Sequence, residues 1–83
     1  MADQTPTTVA LSTGQAGTIA GIFTATVTSA DIVTLTNFTD ILNVYVIDLS
    51  DNSEATATTA TNVVNVTQAG LLTDKILIFA QGT

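Results

Sequence analysis

Apolar residues and threonines alternate strictly between residues 22 and 28, and this alternation constrains the fold more than any other feature of the sequence. Phe23, Ala25 and Val27 fall on one side of an extended chain, and the threonines between them fall on the other. Threonine is β-branched and favours strands, and it fills 18 of the 83 positions. Since no helix-length segment shows a 3.6-residue apolar period, we predict an all-β fold.

Further strands are predicted along the rest of the chain. A short strand is predicted around Val9 and Leu11, which alternate with polar residues. Turn-forming residues at 50–54 and a longer connection at 68–74 separate several of the remaining runs. Six or seven short strands joined by turns are typical of a small antiparallel β-sandwich or a partly open barrel. The other predicted strands cover residues 32–38, 41–49, 55–59, 63–67 and 76–80.

The length predicts a single domain over residues 1–83. Within it we expect a flexible N-terminal arm at 1–8, a β-domain at 9–80 and a tail at 81–83. A chain of this size has a thin core, and small domains are usually stabilised by disulfides, metals or oligomerisation. Because the sequence has no cysteine, oligomerisation is the expected compensation.

Charge excludes two classes of partner. The chain has one lysine, no arginine and seven acidic residues, for a net charge of −6. Nucleic acids and anionic membranes are bound by clusters of basic side chains, so neither is an expected partner. The polar, acidic start does not have the composition of a signal peptide, and we expect synthesis in a cytoplasm.

The residues that most enzymes use for acid–base chemistry are missing. Histidine and cysteine are absent, and Lys75 is the sole side-chain amine. Asp74 lies beside this lysine, which favours a solvated pair over a desolvated catalytic amine. We therefore predict that the protein is not an enzyme and needs no cofactor.

One loop has part of the spacing of a calcium site. Asp48, Ser50 and Asn52 occupy alternate positions, as the ligands of a calcium-binding loop do. However, Ser53 stands where such loops have glycine, and Thr59 stands where they have a glutamate ligand. A hairpin loop without an ion is therefore preferred, and no metal site is predicted.

Two of the predicted strands, 41–49 and 76–80, are apolar on both faces, and in the first of them Leu42 is expected to share a face with Val44 and Val46. A two-layer sandwich covers one face of each sheet, so the second face needs a cover, which is either an interface or another part of the same chain. The arm at 5–11, which includes Val9 and Leu11, is expected to add a strand to a neighbour. The other predicted interface residues are Tyr45, Ile47, Leu77 and Phe79.

The succession of segments from residue 30 to residue 82 resembles small β-rich virion proteins of tailed phages, of the head-decoration type. The resemblance lies in the residues at 30–38, 44–49, 55–58, 62–67 and 76–82. It implies a homo-oligomer, with a trimer favoured, that binds the major capsid protein. It also implies a place on the outer capsid surface of the virion, where the protein stabilises the shell non-covalently after synthesis in the host cytoplasm.

Two alternatives stay open. One is a subunit of a phage tail or extracellular fibre that assembles by strand exchange. The other is a small module that binds a sugar or peptide at the loop over residues 48–54. The second is weakened by the scarcity of aromatic residues, since the chain has one tyrosine, three phenylalanines and no tryptophan.

Overall fold

The computed structural model describes residues 2–14 and 17–83 and confirms the all-β prediction. Strands make up 61% of the structure, and two sheets pack as a small β-sandwich. No helix in the described part of the chain is long and apolar enough to cross a membrane. The strands are β1 (Asp3–Gln4), β2 (Thr7–Thr13), β3 (Ile19–Val27), β4 (Ile32–Thr34), β5 (Ile41–Asp48), β6 (Ser53–Ala55), β7 (Ala57–Ala60), β8 (Val63–Val66) and β9 (Asp74–Gly82).

The two sheets differ in size and order. The smaller sheet has the order β1-β4-β8-β7, and the larger has the order β2-β3-β9-β5-β6. Neighbouring strands run antiparallel except for β1, which runs parallel to β4. The described residues form nine strands, more than the six or seven expected, because elements of two or three residues carry too little periodicity to be recognised in the sequence.

The core lies between the sheets and is built around β3 and β9. These two nine-residue strands pair along their whole length, from Ile19 opposite Gly82 to Val27 opposite Asp74. The predicted inward side of β3 is confirmed, since Phe23 is fully buried and packs edge-on against Phe38. Complete burial of a large apolar side chain stabilises a fold by about 1.5–3 kcal/mol. The fully buried side chains are Phe23, Val27, Val33, Leu35, Val46, Val64, Val66, Ile76 and Ile78.

The N-terminal segment is paired, where a flexible arm was expected over residues 1–8. β1 pairs with β4, and β2 crosses over to the larger sheet. The Asp31 carboxylate anchors this segment: it accepts hydrogen bonds from the backbone N–H of Thr28 (2.9 Å), the backbone N–H of Ala2 (3.0 Å) and Nε2 of Gln4 (2.9 Å). The first residue lies outside the described part of the chain.

Two expectations about the ends of strands were wrong. The tail expected at 81–83 is instead held in place, because β9 continues to Gly82 and the backbone of Thr83 bonds to Asp40. In β5, a bulge between Ile41 and Asn43 shifts the alternation. As a result Ile41 is buried and Leu42 is exposed, whereas the sequence placed Leu42 together with the inward-facing valines.

Candidate functional site

The larger sheet has one face against the core and one face toward solvent, here called the outer face. Strand pairing places Phe79 opposite both Ile22 and Tyr45, and Leu77 opposite Ile47. The structure thus brings together the four residues of strands β5 and β9 that the sequence assigned to an interface. The large apolar residues of the outer face are Ile22, Tyr45, Ile47, Leu77 and Phe79.

The two aromatic side chains of the outer face are considerably exposed. Tyr45 is 46% exposed and Phe79 is 37% exposed, whereas Ile47 and Leu77 are half-buried. The rings of Tyr45 and Phe79 lie 6.2 Å apart between centroids, at an interplanar angle of 44°. Aromatic side chains set in such a patch are enriched at the centres of protein interfaces.

A trough with a volume of about 380 Å³ crosses the outer face over strands β2, β3, β9 and β5. Small residues on two neighbouring strands, Ala10 and Ala20, leave space that the larger Ile22, Tyr45 and Phe79 border. The volume lies at the lower end of the range for ligand-sized pockets. The polar side chains on its lining belong to Ser12, Asn43 and Gln81.

Ile22 belongs to this site and was missed from the sequence. It stands on the threonine side of the alternation that predicts β3, and this placed it away from the core. Ile22 could have been assigned to this site because it is an apolar residue on the threonine side of β3. That assignment also requires knowing that β3 pairs with the strand of Phe79, and the sequence alone does not specify this pairing.

Val9 and Leu11 lie on β2, at the edge of the larger sheet. They are 59% and 46% exposed. The arm around them was expected to add a strand to a neighbour, but β2 pairs with β3 of its own chain. Its other side has no neighbouring strand in the part of the chain that the structure describes. The pairing with β3 is irregular at Val9, where a bulge separates Thr8 from Ala10.

The loop considered for calcium is a hairpin turn between β5 and β6. The Asp48 carboxylate accepts a hydrogen bond from the backbone N–H of Ser50 (2.9 Å), and the Asp51 carboxylate accepts one from the Ser53 hydroxyl (2.6 Å). Asn52 adopts the left-handed conformation that the turn needs, with φ of 57°. Within residues 2–14 and 17–83, no group of three or more acidic side chains is arranged to hold a metal ion.

A carboxyl pair lies at this same end of the molecule. The pKa of Asp74 is raised, first by its hydrogen bond to the Asp48 side chain and then by burial, with further contributions from the charges of Asp48 and Asp51. The backbone N–H of Leu72 donates to Asp74 (3.3 Å) and opposes this rise. Asp48, Asp51 and Asp74 form an acidic end of the molecule near the start of β9, and none of the three lines the trough.

No family model matches the chain, and no curated protein or solved structure is similar enough to count as a relative.

Proposed function

We propose that the protein is a virion structural protein that decorates the outside of a phage capsid and stabilises the shell without covalent bonds. The outer face of the larger sheet docks on the shell. The observation that carries this proposal is the exposed pair of Tyr45 and Phe79 beside an open trough.

The chemistry of the outer face supports docking by apolar burial. Removing apolar surface from water stabilises a complex by about 25 cal/mol per Å² of buried area. Tyr45 and Phe79 offer two rigid side chains that need little ordering when a partner binds, because each already packs against the other. The trough beside them can accept a protruding side chain from the shell.

Composition supports a place on the outside of a particle. A net charge of −6 opposes contact with packaged DNA, which is itself anionic. The sequence also lacks histidine and cysteine, which many enzymes use for acid–base and nucleophilic catalysis. A small, thin-cored domain gains stability when it binds a larger assembly.

The test is co-sedimentation with empty, undecorated heads of the phage whose genome encodes this chain. We expect the natural protein to bind and to raise the temperature at which the heads disrupt. Phe79→Glu places a charge in the docking face and should weaken binding at least about tenfold. Leu72→Glu is the matched control, because Leu72 is 80% exposed and lies in the connection two residues before β9 begins. Failure of the natural protein to bind, or equal binding by both variants, would overturn the proposal.

An open fibre is the second candidate function. The free edge of β2 favours it, because an unpaired strand can join successive copies head to tail. A fibre would give a ladder of masses that grows with protein concentration, whereas a decoration protein would give a closed species.

A further inference from the structure

We propose that β2 is a self-pairing edge: β2 of one copy pairs antiparallel with β2 of a second copy across a twofold axis. The pairing would join two five-stranded sheets into one. This inference goes beyond the docking function, because it concerns the backbone edge of β2 and a different occupant.

The first support is the length and chemistry of the edge. The described sheets end in four edge strands, and β2 has seven residues where β1, β6 and β7 have two, three and four. Every residue of β2 is exposed, and none is charged or a proline. Natural sheets usually protect long edges with charge, proline or a covering element. β2 has neither charge nor proline, and its bulge lies at Val9, so the backbone groups of residues 10–13 are available to another strand.

The second support is the regularity of part of this strand. Beyond the bulge at Val9, residues 10–13 pair with β3 in unbroken register from Ile22 to Ile19. A regular stretch presents evenly spaced N–H and C=O groups on its open side. We therefore expect the pairing to centre on Leu11 and Ser12. It would also cover Leu11, which is 46% exposed in the single copy.

Charge identifies the occupant as a second copy. Residues 4–30 contain no charged side chain, so β2 and β3 form an uncharged side of the larger sheet. The seven carboxylates and Lys75 all lie in other parts of the sequence. Two copies of net charge −6 repel each other least when their uncharged sides meet. A cationic partner would instead be drawn to the acidic end near Asp48 and Asp74.

The first experiment measures the native mass of the purified full chain by sedimentation over a concentration series. We expect a monomer–dimer equilibrium, and Ser12→Glu should raise the dissociation constant of the dimer at least about tenfold, because the introduced charges would meet across the axis. Thr58→Glu is the matched control, since Thr58 is also an exposed hydroxyl residue on an edge strand, β7. This variant should leave the dissociation constant unchanged within about twofold.

The second experiment uses the absence of cysteine from the chain. A single cysteine near the axis of a twofold strand pair lies close to its copy, and a disulfide forms only when the two Cβ atoms come within about 4.5 Å. At least one of Ala10→Cys, Leu11→Cys and Ser12→Cys should give a disulfide-linked dimer, whereas Thr58→Cys should give none. This readout tolerates small changes in stability, because it requires proximity alone.

Several results would overturn the self-pairing edge. They are a monomer at every concentration, a closed trimer, a ladder of masses, or cross-linking through Thr58→Cys as efficient as that through β2. Failure of this inference is distinguishable from failure of the docking function. Phe79→Glu should still dimerise while losing the shell. Thr13→Glu, which places a charge on β2 outside the trough lining, should weaken the dimer and still bind the shell as a monomer. Loss of shell binding alone would therefore overturn the docking function and leave the edge intact.

Discussion

Tyr45 and Phe79 stand directly opposite each other on β5 and β9, with their rings 6.2 Å apart between centroids. Tilted pairs of this kind contribute about 0.5–1.5 kcal/mol beyond the burial of their surface. Both rings are nevertheless more than one-third exposed. The pair therefore fixes the shape of the outer face without belonging to the core, and a docking partner would meet a preformed surface.

Adjacent residues on β9 should respond very differently to truncation. Ile78 is fully buried and Phe79 is 37% exposed. We expect Ile78→Ala to lower the free energy of unfolding by about 2–5 kcal/mol. Phe79→Ala should lower the free energy of unfolding by about 1 kcal/mol, because the substitution removes the contact with the Tyr45 ring and a side chain that is only partly buried. Urea denaturation followed by circular dichroism measures both, and equal losses would contradict the assignment of the two faces.

The faces of the long strands could be read from the sequence, and the ends of the strands could not. Alternation identifies the inward side of β3 because one face is apolar and the other is mainly threonine. It fails in β5, where both faces are apolar and a bulge at Leu42 shifts the register without leaving a mark in the pattern. Bulges depend on pairing with another strand, which a single run of residues does not specify.

The stability of the fold should depend on the ionisation of Asp31, because its carboxylate accepts hydrogen bonds from the N-terminal segment. Hydrogen bonds from the backbone N–H groups of Thr28 and Ala2, and from the side chain of Gln4, lower the pKa of Asp31. A lowered pKa in the folded state means that the stabilisation is fully present above the usual pKa of the group. It is lost as the pH falls through the lowered folded value.

We therefore expect Asp31→Asn to lower the melting temperature at neutral pH by several degrees, because the amide nitrogen faces donors. The difference from the natural protein should shrink as the pH falls through the folded pKa of Asp31. In the Asp31→Asn variant, amide hydrogen exchange should be accelerated more in β1 than in β9, relative to the natural protein. Asp40→Asn is the control, since it removes the same charge from an exposed aspartate outside this hydrogen-bond network. A similar loss in both variants would show that net charge, and not the hydrogen bonds, is responsible.

Asp74 should have the opposite dependence on pH. Its hydrogen bond to Asp48, followed by its burial, raises its pKa in the folded state, so folding favours the protonated form. This contribution is fully present below the usual pKa of an aspartate and is lost as the pH rises through the raised folded value. At neutral pH, Asp74 and Asp48 then repel each other.

Asp74→Asn should therefore raise the melting temperature at neutral pH, because the amide can donate to Asp48 without a second negative charge. The gain should fall as the pH is lowered through the folded pKa of Asp74. Thermal melts at a series of pH values measure this, again with Asp40→Asn as the control for net charge. A destabilised variant at neutral pH would show that the ionised pair is held favourably in the fold.

The parts of the candidate site that the sequence missed all depend on long-range pairing. Tyr45, Ile47, Leu77 and Phe79 were recognised because each is an apolar residue on the second face of its own strand. The trough was not recognised, because its lining comes from the strands β2, β3, β9 and β5. These strands are neighbours in the sheet, but β9 and β5 do not follow β3 in the order of the chain. The role of Asp31 was missed for the same reason, because its partners Ala2 and Gln4 lie 29 and 27 residues away.

Gly82 lies at a position where the fold should not tolerate a side chain. It is buried on β9 between Ile19 of β3 and Ile41 of β5. A Cβ atom at this position would run into the backbone oxygen of Asp40. The neighbouring Thr83 N–H donates to that same oxygen (2.9 Å), so the backbone cannot move away without breaking a hydrogen bond.

We expect Gly82→Ala to lower the free energy of unfolding by about 1–3 kcal/mol, as overpacking against a fixed backbone does. Gln81→Ala is the matched control, because Gln81 is exposed, precedes Gly82 on the same strand and loses only atoms that border the trough. Urea denaturation of the two variants separates the effects. A loss for Gly82→Ala no larger than that for Gln81→Ala would mean that residues 81–83 act as the loose tail that the sequence predicted. A larger loss would show that this segment closes the sandwich at the end where β3, β5 and β9 meet.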